Sequence, residues 1–288
     1  MKQLILKNDI VFFTLCFVIW AQVIFLIHGD HKYFGIPIGS ILKNVNIQKE
    51  FSQEKVIVNT INELYSSLKK EERPIERGHI LHNMGSSYYD LHKVMQRNNL
   101  LDSSEYYYKQ SINIISNNAR FYYNLGFLYT EYRNHKAAKQ YYEKSVELKP
   151  DHILALHNLA LLNYYELGNK EIAKTLLGKV LSIQPNSPAC HYTLGAIFEE
   201  EGNYPNAINH YNEEIKTCYN FIKGNLSIPV SKQTLRYALL KSHRRLALLY
   251  STIKKNKGLA KKNLDAYLRF EQDEKEKKNI LNKFNRYW

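Results

Sequence analysis

The chain has 288 residues, of which 44% are hydrophobic, so it can bury the core of a folded domain and is not wholly disordered. With 12 glycines, 7 prolines and 3 cysteines it is neither a low-complexity chain nor a disulfide scaffold. The formal net charge of +13 favours an anionic partner without identifying one.

The first predicted element is a membrane-spanning helix over residues 10–27. Thr14 and Gln22 are its polar residues, and it carries no charge. At about 1.5 Å per residue the helix would be about 27 Å long, which matches the hydrocarbon core of a bilayer. No cleavage pattern of small residues follows, so we expect residues 1–28 to be an uncleaved signal anchor; a cleaved secretory peptide is the alternative.

Basic residues flank this segment almost equally, and we expect the amino terminus on the cytoplasmic side. The protein would then be single-pass, with the rest of the chain on the non-cytoplasmic, periplasmic side. Residues 29–47 are predicted to be a tether. Residues 48–74 are predicted to be a leading helix, because apolar residues recur there at helical spacing before a proline. These apolar residues are Phe51, Ile57, Ile61, Leu64 and Leu68.

A sequence pattern with a period of about 34 residues follows the leading helix. Its five copies cover residues 78–118, 119–152, 153–187, 188–221 and 240–271. In the clearest copy the recurring positions are Tyr122, Leu125, Gly126, Tyr129, Ala138, Tyr142, Ser145 and Pro150. The pattern resembles the tetratricopeptide repeat, a helix-turn-helix unit.

The resemblance implies an all-α fold, namely a right-handed solenoid of helical hairpins over residues 75–271, preceded by one N-terminal transmembrane helix. The spacing supports this fold physically, because large residues three and four positions apart form one apolar stripe per helix. Gly126 lets its helix approach Ala138 closely, and Pro150 ends the second helix. Each hairpin then buries the apolar face of its neighbour, and residues 272–288 are expected to form a cap helix.

No motif for catalysis or cofactor binding is present, since the sequence lacks GxxxxGKS/T, GxSxG, HExxH and CxxC. His79 and His82 lie one helical turn apart, but no third ligand completes a metal site, so we interpret them as solvated or groove-lining. We expect a protein that is not an enzyme, with no cofactor, metal or small-molecule substrate. Cys190 and Cys218 are predicted to be buried free thiols, with a disulfide as the alternative in an oxidising compartment.

In the resembled family the first helices line a concave groove that holds extended peptides or helices. Carrying the groove places over residue by residue gives a set of candidate peptide-binding residues. They are Asn83, Tyr123, Asn124, His157, Asn158, Tyr192, Lys241, Arg244 and Arg245. Further groove places hold Tyr89, Tyr164, Tyr165 and His82, which would give apolar contact with polar tips. The three asparagines share one place in successive repeats and would form a ladder, because an amide offers the donor and the acceptor that a peptide bond needs. The alternative is that asparagine is simply common at this place.

Basic residues concentrate towards the C-terminal end, where residues 215–264 contain twelve Lys and Arg and no Asp or Glu. Lys241, Arg244 and Arg245 are predicted to face the end of the groove. Lys241 and Arg245 match part of the carboxylate clamp of some relatives in the resembled family. The other three clamp places hold His157, Leu161 and Thr193. We therefore expect loose binding of an acidic tail or of anionic lipid, and the predicted anchor disfavours nucleic acid.

The sequence thus predicts a membrane-anchored scaffold that binds a partner protein or peptide in the concave groove. The resemblance implies work in envelope assembly, secretion or the maturation of exported proteins. One alternative is a cytoplasm-facing receptor or nucleic-acid adaptor that uses the basic block at residues 215–264. A third hypothesis is a regulatory subunit of an enzyme complex.

Overall fold

The computed structural model describes residues 47–187, 189–224 and 231–284. The predicted membrane segment at residues 10–27 lies outside the described residues and stays a prediction. Within the described part of the chain, no helix combines the length and the apolar character needed to cross a bilayer. The chain divides into two compact units, Met1–Val58 and Asn59–Trp288, and the first unit is described from residue 47 onward.

Twelve α-helices and no β-strand make up the described residues. The first six helices are α1 (Ile47–Lys70), α2 (Pro74–Met95), α3 (Asn98–Ile114), α4 (Ala119–Glu131), α5 (His135–Leu148) and α6 (Ile153–Tyr165). The other six are α7 (Lys170–Ile183), α8 (Cys190–Glu200), α9 (Tyr204–Ile222), α10 (Lys232–Thr252), α11 (Lys257–Phe270) and α12 (Glu274–Phe284). The predicted all-α class is confirmed for this part of the chain.

Consecutive helices from α2 to α11 pack as helical hairpins. The hairpins are α2–α3, α4–α5, α6–α7, α8–α9 and α10–α11. Each second helix also packs against the first helix of the next hairpin, and the first helices α2, α4, α6 and α8 contact one another in order. We call the surface formed by the first helices, including α10, the A face. This stacking confirms a helical-repeat solenoid over the described residues.

A glycine in the first helix of three hairpins admits a tyrosine ring from the second helix. At Gly126 a Cβ atom would lie 2.6 Å from the Tyr142 ring, a distance that real side chains do not reach. The same contact recurs between Gly85 and Tyr108 and between Gly195 and Tyr211. The small residue in the repeat pattern is therefore required by close helix packing rather than by a turn.

Four helix N-termini are closed by asparagine side chains, which accept a backbone N–H of the first turn. These caps are Asn118, Asn134, Asn203 and Asn256. Helix α8 differs, because its N-cap residue is Ala189, with a φ of 67° and no capping oxygen. The Glu214 carboxylate of α9 supplies the missing acceptor, taking the N–H of Ala189 at 3.0 Å and that of Tyr192 at 3.3 Å.

Helices α9 and α10, of 19 and 21 residues, are longer than the helices α4 to α8 that precede them, which have 11 to 14 residues. Helix α10 begins at Lys232, whereas the repeat pattern placed the start of the last copy at residue 240. Leu235 and Leu239 of the added turns are buried against Cys218 and Phe221 at the end of α9. The added turns are thus stabilised by apolar packing between repeats, which the spacing within a single repeat does not encode.

Helix α12 closes the array at its C-terminal end. Ile280 and Phe284 are each only 2% exposed and pack against Ala247 of α10 and Leu264 and Tyr267 of α11. The remaining residues of α12 are mostly charged, so one face is apolar and the other is solvated. This arrangement is typical of the last element of a repeat array.

Candidate functional site

Two of the three predicted ladder asparagines are engaged inside the fold. The Nδ2 of Asn124 lies 2.8 Å from the Nε2 of His82 on the preceding first helix. The Nδ2 of Asn158 donates to the hydroxyls of Tyr123 and Tyr142, each at 3.4 Å. A bound peptide would have to compete with these internal bonds for both amides. Asn83 of α2, in contrast, is exposed.

His82 is buried and supports the Asn124 contact. Its ring stacks on Phe121 at a centroid distance of 4.1 Å and lies 5.3 Å from the Tyr108 ring. Burial lowers the pKa of His82 to about 4, so the ring is neutral at pH 7. A neutral ring whose Nε2 accepts from Asn124 carries its proton on Nδ1. The sequence predicts a solvated or groove-lining histidine at this position, and burial excludes the solvated interpretation.

His157 is a second histidine held in its neutral form on the A face. Its Nε2 atom is buried and has no hydrogen-bond partner among the described residues. Burial lowers the pKa of His157 below its ordinary value. Because its ring is uncharged, His157 offers a partner mainly van der Waals contact and does not act as a cation that attracts an acidic group.

A cluster of tyrosines surrounds Lys241 on the A face. The Lys241 Nζ lies 4.2 Å from the centroid of Tyr237 and 5.4 Å from that of Tyr192, both within the range of a cation–π interaction. Tyr165 of α6 interacts electrostatically with Lys241. Burial raises the pKa of Tyr165 most, Tyr192 raises it further and the Lys241 ammonium lowers it. We call Tyr165, Tyr192, Tyr237 and Lys241 the tyrosine–lysine patch.

The patch is open to solvent and carries a net positive charge. Tyr165 is 56% exposed and Tyr237 is 57% exposed. Burial lowers the pKa of Lys241, but the neighbouring hydroxyls, foremost that of Tyr237, outweigh this and hold the pKa above its ordinary value. No carboxylate of the described residues forms an ion pair with Lys241. Its ammonium is therefore charged and available to an incoming anion.

The other two basic residues predicted for the groove end have partners within the fold or lie elsewhere. Arg245 binds Glu199 through two contacts, Nε to Oε2 and Nη2 to Oε1, each 2.9 Å long. The Tyr211 hydroxyl donates to the same carboxylate at 2.8 Å. Arg244 lines a cleft of about 420 Å³ between α10 and α12, together with Glu276. Of the three residues, Lys241 is the one that joins exposed tyrosines.

One member of the patch, Tyr237, was absent from the predicted groove positions. Tyr237 precedes Lys241 by four positions on α10, a spacing that places both side chains on one helix face. That spacing was visible in the sequence, but Tyr237 lies before residue 240, where the last repeat was predicted to begin. Tyr165 is the last residue of α6, and its approach to Lys241 depends on the stacking of three repeats.

The described residues contain no cluster of three or more His, Cys, Asp or Glu side chains suited to a metal ion. Cys190 and Cys218 are both buried free thiols. Burial raises the pKa of Cys190 to about 12, which leaves the thiol protonated and unreactive at neutral pH. On the A face, the tyrosine–lysine patch thus combines exposed aromatic rings with an ammonium group that has no carboxylate partner among the described residues.

Comparison with known proteins gives two matches to family models described as tetratricopeptide repeat, over residues 119–152 and 154–187. A curated relative, an uncharacterised protein named ycf37 from Pyropia yezoensis, is 36% identical over 81 residues, which cover 27% of this chain and 45% of the relative. The chain spans about half the length of the curated relatives it matches.

Two solved structures are similar in fold. BtubC (BKLC) from P. vanneervenii has a TM-score of 0.58 at 13% identity, over 77% of this chain and 90% of that one. The C-terminal part of a TPR repeat-containing protein from Cytophaga hutchinsonii has a TM-score of 0.53 at 16% identity, over 81% of this chain and 98% of that one. At these identities the likeness concerns the fold alone.

Proposed function

Because the chain belongs to the tetratricopeptide repeat family, we propose that it is a non-enzymatic scaffold that binds a partner polypeptide on its A face. Repeats of this kind generally serve protein interaction, and their stacked first helices offer a long surface to an extended chain. The proposal assigns no reaction, cofactor or small-molecule substrate to the protein.

One observation carries the proposal: the tyrosine–lysine patch combines exposed rings with a charged ammonium that has no carboxylate partner among the described residues. A polypeptide lying across Tyr165 and Tyr237 would remove apolar surface from water, at about 25 cal/mol per Å² of apolar area. An acidic side chain or a terminal carboxylate would pair with Lys241. The proposed partner segment is therefore acidic next to an apolar or aromatic stretch.

The remaining candidate residues have supporting roles in this proposal. Asn83 is exposed and would meet a peptide backbone, whereas Asn124 and Asn158 hydrogen-bond to His82 and Tyr123 within the fold. Arg245 is already paired with Glu199, so its guanidinium is less available to a partner carboxylate than the Lys241 ammonium is. Tyr123 and His157 contribute apolar contact area near the middle of the A face.

Selection from a random dodecapeptide phage library on the purified full chain tests the proposal. We expect enriched peptides to carry Asp or Glu beside apolar residues. Replacing Lys241→Gln should weaken their binding by about tenfold, the equivalent of 1.4 kcal/mol. The matched control Lys261→Gln removes the same charge from an exposed site on α11 and should leave binding unchanged. Equal losses in both variants, or enrichment without acidic residues, would contradict the assignment of the patch.

We further propose that residues 10–27 anchor the scaffold in a membrane, with the repeats on the non-cytoplasmic side. The length of this segment and its lack of charged residues support the anchor. With this placement, we propose a role in envelope assembly, secretion or the maturation of exported proteins. The basic block at residues 215–264 supports the alternative of a cytoplasm-facing adaptor. Protease added to intact cells or spheroplasts should digest the repeats; repeats protected from outside would favour the cytoplasmic alternative.

A further inference from the structure

A second basic surface lies at the turn between α10 and α11, away from the tyrosine–lysine patch. The turn and the first turns of α11, residues 253–262, carry five exposed lysines. They are Lys254, Lys255, Lys257, Lys261 and Lys262. The same segment exposes two aliphatic side chains, Ile253 at 43% and Leu259 at 37%. We call residues 253–262 the basic knuckle.

The backbone that carries the knuckle lysines is held in place by hydrogen bonds. The N–H groups of Ile253 and Lys254 both bond to the carbonyl of Leu249, and Asn256 bonds to that of Tyr250 at 2.7 Å. The side chain of Asn256 caps α11 by accepting the N–H of Leu259 at 3.0 Å. Lys255 has a φ of 47°, which sharpens the turn. The positive charges are therefore preorganised at one corner of the solenoid.

Four of the five lysines have no carboxylate partner among the described residues. No carboxylate of the described residues forms an ion pair with Lys254, Lys255, Lys261 or Lys262. The first acidic residue after the basic block is Asp265, which is exposed and takes part in no such pair. Mutual repulsion of clustered lysines costs stability, and an anionic partner would relieve it.

We propose that the basic knuckle binds the surface of an anionic lipid bilayer. Lysines next to exposed aliphatic side chains suit this occupant, because the ammonium groups attract headgroup phosphates while Ile253 and Leu259 enter the headgroup region. The knuckle has neither arginine nor an aromatic residue, the side chains that read or stack on nucleic acid. The uniformly positive charge and the exposed aliphatic side chains of Ile253 and Leu259 together favour a bilayer over RNA or DNA.

The inference stands apart from the proposed scaffold function, because it concerns a different corner of the molecule. If it holds, the end of the solenoid rests on a membrane while the A face remains available to a partner. Removal of the knuckle lysines would then change membrane contact without changing peptide binding at Lys241.

An environment-sensitive fluorophore at the knuckle tests the proposal in the full chain. Gly258→Cys introduces a thiol at an exposed site where the added Cβ meets only Asn256 at 3.6 Å. Cys16→Ser removes one native thiol, and the other two, Cys190 and Cys218, are buried. Gly178→Cys, exposed on α7 with nothing within 4 Å of the added Cβ, provides the matched control position.

With vesicles that contain phosphatidylglycerol, we expect the probe at position 258 to shift to shorter wavelength and to be quenched by spin-labelled lipid. The shift should be absent with pure phosphatidylcholine and should fall as salt is raised, because the charges are exposed. The probe at position 178 should not respond. Replacing the four unpaired lysines by glutamine should abolish most of the shift. These substitutions are Lys254→Gln, Lys255→Gln, Lys261→Gln and Lys262→Gln.

A control variant loses four charges elsewhere and should retain the full shift. It carries Lys136→Gln, Lys149→Gln, Lys179→Gln and Lys223→Gln, all at exposed positions. Equal shifts with both lipids, or equal loss in both lysine variants, would overturn the proposal. A response of the position-258 probe to an oligonucleotide but not to anionic vesicles would assign the knuckle to nucleic acid instead and overturn it as well.

Discussion

Single residues set how closely the helices of each hairpin approach. The sequence pattern was sufficient to predict the small residue of the first helix and its closeness to the second helix. It could not predict which side chain would lie against Gly126. The contact with the Tyr142 ring depends on how the two helices are oriented about their axes, which the pattern does not specify. The same limit applies to Asn124 and Asn158, whose places were predictable but whose bonds to neighbouring repeats were not.

Gly126→Ala should destabilise the protein, because the added Cβ would lie 2.6 Å from the Tyr142 ring. Overpacking of this kind costs about 1–3 kcal/mol. Gly178→Ala is the control, because its Cβ meets nothing within 4 Å and helix propensity favours alanine by about 1 kcal/mol. Urea denaturation followed by circular dichroism should show a lower midpoint for the first variant and a higher one for the second. Equal shifts in one direction would argue against the packing described.

His82 should make stability depend on pH in a predictable direction. Its pKa falls from 6.5 in the unfolded chain to about 4 in the folded protein, because the ring is buried. The unfolded state therefore binds more protons, and the free energy of unfolding decreases as the pH falls from about 6.5 to about 4, by about 3 kcal/mol in total.

Other buried or half-buried histidines with lowered pKa values act in the same direction, so the contribution of His82 is measured as a difference. They are His152, His157, His191, His210 and His243. Denaturation of His82→Gln and of the native chain across this pH range should give a shallower dependence for the variant. Parallel curves would show that His82 is not neutral and buried as described.

At the scale of elements, the repeat pattern was enough to predict the hairpins and a closing helix near the C-terminus. The helix bounds that it missed lie where α9 and α10 extend, because Leu235 and Leu239 are buried by a neighbouring repeat rather than by their own. The cap on α8 was not predictable either, because the Glu214 carboxylate that accepts the N–H of Ala189 lies 25 residues later in the sequence. Contacts between elements, rather than patterns within them, decide these features.

Helix α12 should stabilise the last hairpin through its apolar face. Ile280→Ala removes a side chain that is 2% exposed and should cost about 2–4 kcal/mol. Leu281→Ala, at the next position, removes a side chain that is 39% exposed and should change stability by less than about 0.5 kcal/mol. The comparison requires only thermal or urea denaturation of the two variants. Similar losses would mean that α12 does not present the described face to α10 and α11.

At the scale of the molecule, stacking of hairpins turns separate first helices into one A face. The sequence was sufficient to predict that such a surface exists and that basic residues gather towards its end. It was not sufficient to separate Lys241 from Arg245, because the Arg245–Glu199 pair joins two repeats. Within the block of twelve basic residues, Lys241 belongs to the tyrosine–lysine patch and five other lysines form the basic knuckle.

Site-specific photocrosslinking in living cells tests the central claim, that the A face holds a partner polypeptide, most directly. The photoreactive residue p-benzoylphenylalanine would replace Tyr165 on the A face or, as control, Tyr106 on the second helix α3; the two tyrosines are 56% and 57% exposed. The account predicts a light-dependent adduct with a protein from position 165 that Lys241→Gln diminishes, and no such adduct from position 106. Equal crosslinking from both positions, or crosslinking from position 106 alone, would contradict it.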